Sequence, residues 1–238
     1  MLADGGGAGL TASGLRADLH LPNSARLALL DFIRRHLASW RDHPERPRET
    51  AEEPLTGQLC DHLNDVSRLA VGWDHFKFST ERRDEHKRSR KYDLAVQPSG
   101  RNIWVGADRH STFEIILPIE CKILPTPKST KRDQREYLFD SYKSCGGVQR
   151  FKAGDHGSSH RLCGMIGYVQ NEDSPTWRDR INNWVEDLTK ADEAGWSRAD
   201  ALTLADYDKR NRLAVLHSRH ERSNPLSAIE ITHLWIEI

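Results

Sequence analysis

Apolar residues recur along this chain with two different periods. Stripes at three- and four-residue steps predict helices, over residues 25–40, 50–66, 133–143 and 175–191. Short alternating or continuous apolar runs predict strands, over residues 75–80, 90–96, 113–122, 162–170, 213–217 and 229–238. The order helix, three strands, helix, strand, helix predicts an α/β fold, with helices on both faces of a mixed β-sheet.

The predicted strand over residues 113–122 has one apolar face, because successive side chains of a strand point in opposite directions. That face consists of Phe113, Ile115, Leu117, Ile119 and Cys121. Glu120 and Lys122 lie on the opposite face, one pleat apart, where the buried strand ends. The alternation therefore places a carboxylate beside an ammonium at the end of a core strand.

Asp93 has a similar position on the preceding strand, where Tyr92, Leu94 and Val96 are expected to face the other way. Charged groups at the ends of core strands are costly to bury unless they pair or bind a metal. Carboxylate oxygens are ligands that suit Mg²⁺ or Mn²⁺. Asp93 and Glu120 are therefore candidate metal ligands, with Lys122 as a neighbouring group that could act on a water.

The pattern Asp93 … Glu120-Cys121-Lys122 resembles the PD-(D/E)XK nuclease superfamily, which has the restriction-endonuclease-like fold. Tyr92 stands where the family name has proline, and the resemblance covers roughly residues 50–190. It implies that Asp93, Glu120 and the Cys121 carbonyl hold the metal. It also implies that Lys122 steers the attacking water.

Glu52 is a further candidate, because a helical wheel places it close to the buried face of the helix over residues 50–66. Many members of the resembled family have an acid on this helix that joins the metal site. The alternative is an acid at a helix start that is favoured only by the helix dipole.

The chain has 238 residues and zero formal net charge, so it lacks the overall positive charge typical of nucleic-acid binders. Basic residues nevertheless cluster on both sides of the proposed site in sequence. The candidates for DNA contact are Arg88, Arg90, Lys91, Lys128 and Lys131, and the resemblance adds Gln149 and Arg150. Solvated loops are the alternative for the clusters, and ordinary surface contacts are the alternative for Gln149 and Arg150.

Other features restrict the class of protein. His110, His156 and His160 lie in predicted loops without a partner at metal-ligand spacing, and we expect them at the surface. The four cysteines form no CxxC pair, which indicates reduced thiols in a cytoplasmic protein. No apolar run is long enough to cross a membrane, and we expect no signal peptide. Residues 1–20 predict a flexible glycine-rich tail, and residues 21–238 one nuclease-like domain.

The last predicted strand changes phase. Ile229 and Ile231 alternate in one phase, whereas Leu234 and Ile236 alternate in the other. Because a slip of one residue exchanges the faces of a strand, we expect a bulge or bend near His233, or one apolar phase facing another subunit.

Together with the resemblance, these observations favour a Mg²⁺-dependent nuclease that cuts DNA, and they leave open DNA versus RNA and endo- versus exonuclease cleavage. Without a separate DNA-reading domain, target choice is expected to come from a partner subunit or from homo-oligomerisation, as in bacterial phage-defence or restriction systems. One alternative is a catalytically idle protein of the same fold that acts as a structural or interaction subunit. Another is an unrelated α/β protein with a chance Glu-x-Lys pattern.

Overall fold

The computed structural model describes residues 24–84, 89–105, 108–128, 132–142, 146–193 and 195–238. The helices in these ranges are α1 (Ser24–Arg41), α2 (Glu52–Leu69), α3 (Gly147–Lys152) and α4 (Ser174–Lys190), with a short 3-10 helix at Arg198–Asp200. The strands are β1 (Phe76–Arg83), β2 (Lys91–Pro98), β3 (Ile103–Val105), β4 (Asp108–His110), β5 (Leu117–Leu124), β6 (Leu162–Val169), β7 (Thr203–Asp208), β8 (Leu213–His220) and β9 (Ile229–Glu237).

Seven strands form one mixed sheet in the order β1-β2-β5-β6-β9-β8-β7, and β3 pairs separately with β4. The three central strands β5, β6 and β9 are parallel, whereas the strands on either side pair antiparallel. The predicted α/β class with a mixed sheet is therefore confirmed.

Helices cover both faces of this sheet, as the apolar pattern predicts. On one face, Leu30 of α1 and Leu59 of α2 belong to a buried cluster with residues of β2 and β5. On the other face, Phe151 of α3 and Ile181 of α4 belong to a second cluster. Each buried leucine or isoleucine contributes about 1.5–3 kcal/mol, so both layers stabilise the sheet.

The predicted bulge near His233 is wrong, because β9 is a central strand. It pairs without a register shift with β6 and with β8. Ile231 and Trp235 pack in the cluster of α3 and α4, whereas Leu234 and Ile236 pack in that of α1 and α2. The phase change thus reflects a strand whose two faces are both buried.

The helix predicted over residues 133–143 is also wrong, because the described part of this segment forms turns. The Asp133 carboxylate accepts hydrogen bonds from the backbone N–H groups of Arg135 (2.9 Å) and Ser141 (3.3 Å). Aspartate competes in this way with helical hydrogen bonding. The helix begins later, at Gly147.

Two strand predictions need adjustment at their ends or faces. β5 begins at Leu117, and Phe113 lies in the preceding loop with 77% of its surface exposed. Tyr92 packs in the cluster of α3 and α4, on the side opposite Leu94 and Val96. The expected tail over residues 1–20 lies outside the described residues.

Within the described ranges, no helix combines the length and apolar character that membrane crossing needs.

Candidate functional site

The site lies where two neighbouring strands stop pairing. β2 and β5 are joined only through Leu94–Val96 and Leu117–Ile119, so the ladder ends just before Asp93 and Glu120. Beyond that point the Asp93 side chain accepts the backbone N–H of Cys121 at 2.8 Å. A carboxylate thus takes the place of a backbone partner, which satisfies a donor that would otherwise be costly to bury.

The ammonium of Lys122 lies among four oxygens at this point. Its Nζ is 2.8 Å from the Cys121 carbonyl oxygen and 2.9 Å from Glu52 Oε1. It is 3.1 Å from Glu120 Oε1 and 3.4 Å from Asp93 Oδ2. The structure therefore brings together the side chains of Asp93, Glu120, Lys122 and Glu52 and the Cys121 carbonyl. We call this arrangement the carboxylate cluster.

Glu52 reaches the cluster from the first residue of α2. Its carboxylate is in the helix-start position that the dipole favours, yet it also contacts Lys122 where β2 and β5 stop pairing. The two explanations considered for Glu52 are thus compatible, because one side chain makes both interactions.

Glu120 is fully buried and has two basic neighbours besides Lys122. Arg150, on α3, contacts Glu120 Oε1 through Nη1. The Nδ1 atom of His156 lies 3.3 Å from Glu120 Oε2. Within the described part of the chain, Oε2 is a buried oxygen that accepts no hydrogen bond, although His156 Nδ1 lies beside it.

The surface prediction for His156 and His160 is wrong, because they are only 1% and 7% exposed. The loop that carries them is held inward by distant residues. Gly157 N–H donates to the Tyr92 hydroxyl at 2.9 Å, and Arg222 donates to the carbonyls of Gly157 and His160 at 3.0 Å. The local sequence reads as a polar Gly/His/Ser loop, so sequence reasoning missed His156 as a site residue.

Burial and mutual repulsion perturb the acids of the cluster. Burial, and then the charge of Glu120, raise the pKa of Asp93 to about 7. Burial alone would also raise the pKa of Glu120, but Lys122, His156 and Arg150 outweigh it and lower that pKa. Burial opposes the charge of Lys122, yet the three carboxylates raise its pKa well above the ordinary value. Lys122 is therefore a protonated ammonium at neutral pH.

No group of three or more His, Cys, Asp or Glu side chains in the described ranges is arranged to hold a metal ion. The Lys122 ammonium explains the spacing of the carboxylates, which surround Nζ at 2.9–3.4 Å. Oxygen ligands of Mg²⁺ lie at about 2.0–2.1 Å. The donors are nevertheless all hard oxygens, and Glu120 Oε2 accepts no hydrogen bond from any residue that the structure describes, so the residues fit a hard divalent cation in charge and type.

The basic residues predicted to contact DNA do not all lie beside the carboxylate cluster. Arg90 lies 3.7 Å from Asp155, and Lys91 pairs with Glu81 on the neighbouring strand. Arg88 and Lys131 lie outside the described residues. The structure thus gives Arg90 and Lys91 protein partners and does not join them to the carboxylate cluster.

Gln149 and Arg150 differ in what they contact. Gln149 Oε1 accepts the backbone N–H groups of Asp140 and Gly146, both at 3.1 Å, and so closes the turn before α3. Arg150 contacts Glu120 directly. Lys128 is exposed in the segment after β5.

A second polar cluster is a series of buried hydrogen bonds that joins the 3-10 helix, β8, β9 and the turn at Tyr137. Asp200 Oδ1 lies 2.6 Å from His220 Nδ1, and Ser218 Oγ lies 2.7 Å from His220 Nε2. Ser218 Oγ is also 2.8 Å from His233 Nε2, and His233 Nδ1 is 2.7 Å from the Tyr137 hydroxyl. No short sequence motif reveals this cluster, because its members come from four separate segments.

The groups at the two ends of this hydrogen-bonded series determine the tautomers of its two histidines. Burial lowers the pKa of both His220 and His233, so both rings are neutral. The Asp200 carboxylate accepts, so His220 carries its proton on Nδ1 and accepts from Ser218 at Nε2. Ser218 then accepts from His233 Nε2, and Tyr137 donates to His233 Nδ1. The Tyr137 oxygen accepts the Trp235 indole N–H at 2.7 Å, so every member is satisfied.

Asp200, His220 and Ser218 thus have the bonding order of a Ser-His-Asp triad. They are nevertheless 1%, 0% and 7% exposed, and the Ser218 hydroxyl is engaged on both sides by histidines. A nucleophile needs room for its substrate, so this cluster is explained as a satisfied buried network.

No family model, curated protein or solved structure matches this chain. Since a fold alone does not imply a function, any function has to follow from the site residues themselves.

Proposed function

We propose that this chain is a Mg²⁺- or Mn²⁺-dependent nuclease that hydrolyses phosphodiester bonds in DNA, with a restriction-endonuclease-like core of the PD-(D/E)XK type. The proposal depends on one observation, the excess of negative charge in the carboxylate cluster. Among the residues that the structure describes, the acids Glu52, Asp93 and Glu120 are balanced there by two permanent cations, Lys122 and Arg150.

A buried negative charge without a counter-ion is strongly unfavourable. The metal-free cluster can relieve it by protonating Asp93, which agrees with the raised pKa of about 7. A divalent cation would relieve it as well, and would leave all three carboxylates ionised. A purely structural ion-pair cluster has no need of the third acid, so the excess charge favours a cation site.

Asp93, Glu120 and the Cys121 carbonyl would hold the ion, and Glu52 would extend the site towards α2. When bound, such an ion supplies positive charge to a phosphate oxygen and acidifies a water. The Lys122 ammonium would have to withdraw from between the carboxylates, because two cations repel each other at that distance.

The protein groups then have distinct roles. Lys122 keeps its proton at neutral pH because its pKa is raised, so it would donate hydrogen bonds to the attacking water or to the phosphate instead of acting as a base. Arg150, on α3, contacts Glu120, and from this position its guanidinium would bind a phosphate oxygen. Both cations would stabilise the charge that develops on the phosphate.

A catalytically idle protein of the same fold is the alternative, and one observation favours it. Lys122 contacts an oxygen of each acid, so the cluster could stabilise the junction of β2, β5 and α2 without any metal. In either case, zero net charge suggests that target choice comes from a partner subunit or a second copy of the chain. We place the protein in the cytoplasm, acting in phage defence or restriction, by analogy alone.

Plasmid cleavage distinguishes the two functions. Supercoiled DNA is incubated with the protein in Mg²⁺, in Mn²⁺ and in EDTA, together with Asp93→Asn and Lys122→Ala. Asp65→Asn is the matched control, because Asp65 is an exposed acid of α2 that pairs only at the surface with Arg68. Metal-dependent nicking by the wild type and the control, lost in both site variants, supports the nuclease. Cleavage by the site variants at the wild-type rate would exclude it.

A further inference from the structure

A depression of about 850 Å³ lies in the region that follows β5. Lys128, Arg132, Tyr142, Trp184 and Asp187 are among the side chains that line it. Its volume is in the range of small-molecule sites, and its lining combines cations with aromatic rings. We call it the aromatic pocket.

The aromatic pocket is connected to the carboxylate cluster through α3. The segment that lines it forms a layer beneath α3, because the N–H groups of Gly147 and Val148 donate to the carbonyls of Glu136 and Tyr137 at 2.9 and 3.2 Å. α3 in turn carries Arg150 onto Glu120. α3 therefore contacts the segment that lines the pocket at one end and the carboxylate cluster through Arg150.

Its rings are placed for stacking. Tyr142 is 66% exposed, although an aromatic ring loses favourable burial in that position. Trp184 is half-buried and fixed by an edge contact with Trp177, at 6.2 Å between ring centroids. Aromatic side chains of this kind bind the faces of nucleobases without regard to sequence.

The polar groups of the pocket suit the rest of a nucleotide. Lys128 is exposed, and Arg132 is oriented by Glu136 through contacts of 2.6 and 2.9 Å. Both can neutralise a phosphate. Asp187 is an exposed carboxylate that can accept a hydrogen bond from the amino group of a base. The pocket thus offers partners to the base and to the phosphate of one nucleotide.

We propose that the aromatic pocket binds one unstacked nucleotide of the DNA strand whose backbone lies at the carboxylate cluster. This inference rests on the proposed nuclease function and names its substrate class. Bases within a duplex are paired and stacked, and extracting one costs a few kcal/mol. The substrate is therefore single-stranded DNA or the frayed end of a duplex.

The test measures binding apart from cleavage. Fluorescence anisotropy in EDTA follows a short labelled oligodeoxynucleotide, single-stranded or as a blunt duplex, with the wild type, Tyr142→Ala and Trp104→Ala. Trp104 is the matched control, an aromatic residue of β3 with 67% exposure that does not line the pocket. Loss of one stacked base corresponds to about a 5- to 150-fold weaker affinity.

We expect the wild type and Trp104→Ala to prefer the single strand, and Tyr142→Ala to lose that preference. Equal affinity of Tyr142→Ala and the wild type for the single strand would overturn the proposal. Isothermal titration with dAMP and dCMP tests whether the pocket binds free nucleotides instead of a DNA strand. If a free nucleotide binds in a way that depends on Tyr142 and the oligonucleotide does not bind, the proposal of a bound strand is overturned. If the oligonucleotide binds through Tyr142 but wild-type protein with Mg²⁺ does not cut it, the pocket stands and the nuclease function fails.

Discussion

Lys122 Nζ and Asp93 Oδ2 lie 3.4 Å apart, across the point where β2 and β5 cease to pair. The ammonium occupies the space between carboxylates that a divalent cation would need. Lys122 therefore competes with a metal electrostatically even though the proposed function requires it for cleavage.

Replacement of Lys122 should separate metal binding from catalysis. We expect Lys122→Ala to bind Mn²⁺ at least as tightly as the wild type, because a nearby positive charge is removed. Asp93→Asn and Glu120→Gln should each bind Mn²⁺ about tenfold more weakly or worse. Isothermal titration calorimetry measures these affinities, and plasmid cleavage should be lost in all three. Weaker Mn²⁺ binding by Lys122→Ala would show that the lysine supports the ion instead of competing with it.

Asp93 should make the metal-free protein less stable as the pH rises. Its pKa is about 7 in the folded protein, against about 3.9 in an unfolded chain. The folded state therefore binds the extra proton between these values, and that stabilisation is lost as the pH rises through 7. The effect is on the order of 2–4 kcal/mol. Urea unfolding in EDTA at about pH 5 and pH 8 measures it as the change in stability of the wild type minus that of Asp93→Asn, because the buried histidines contribute to both proteins alike.

The buried chain from Asp200 to Tyr137 should make the fold sensitive to acid. The pKa values of His220 and His233 are lowered by burial, so the unfolded state takes up protons first as the pH falls below about 6.5. Stability should then fall by about 1.4 kcal/mol per pH unit for each histidine until its folded pKa is reached. Urea unfolding of Asp93→Asn measures this loss, because that variant lacks the opposite pH dependence that Asp93 contributes. Equal stability of the variant at about pH 6.5 and pH 5 would contradict the prediction.

Removal of one hydroxyl group from the same hydrogen-bonded series should destabilise the fold unusually strongly. Tyr137→Phe leaves both His233 Nδ1 and Trp235 Nε1 without their buried partner, so we expect a loss of about 2–4 kcal/mol. Tyr207→Phe is the matched control, because Glu237 keeps the two donors of Ser174. Urea unfolding should give a clearly smaller loss for Tyr207→Phe, and equal losses would argue against the assigned chain.

His156 should orient Glu120 in the metal-binding state. Its Nδ1 lies beside Glu120 Oε2, while Lys122 and Arg150 contact Oε1. Replacing a group that supports a metal ligand in this way typically lowers metal affinity or activity by about 10–100-fold. We expect His156→Ala to lower Mn²⁺ affinity and cleavage to that extent, measured by calorimetry and plasmid nicking. His110→Ala, which replaces a half-buried histidine at the end of β4, should remain like the wild type.

The sequence by itself determined the periodic parts of this protein. Alternation placed Glu120 and Lys122 on one face of a buried strand, and the helical wheel placed Glu52 near the interior. Local periodicity carries this information because it records whether each side chain is buried. It also indicated the layers of the sheet, since each helix has its own apolar stripe.

Only the tertiary structure decided which distant groups meet. His156 looked like a loop residue, and it is buried because Tyr92 and Arg222 hold its loop from 65 residues away on either side. β9 looked irregular, and it is regular because helices cover both of its faces. The Asp200–Tyr137 chain unites segments up to 96 residues apart. Such contacts leave no local period, because they depend on strand order and loop closure and not on the pattern within one element.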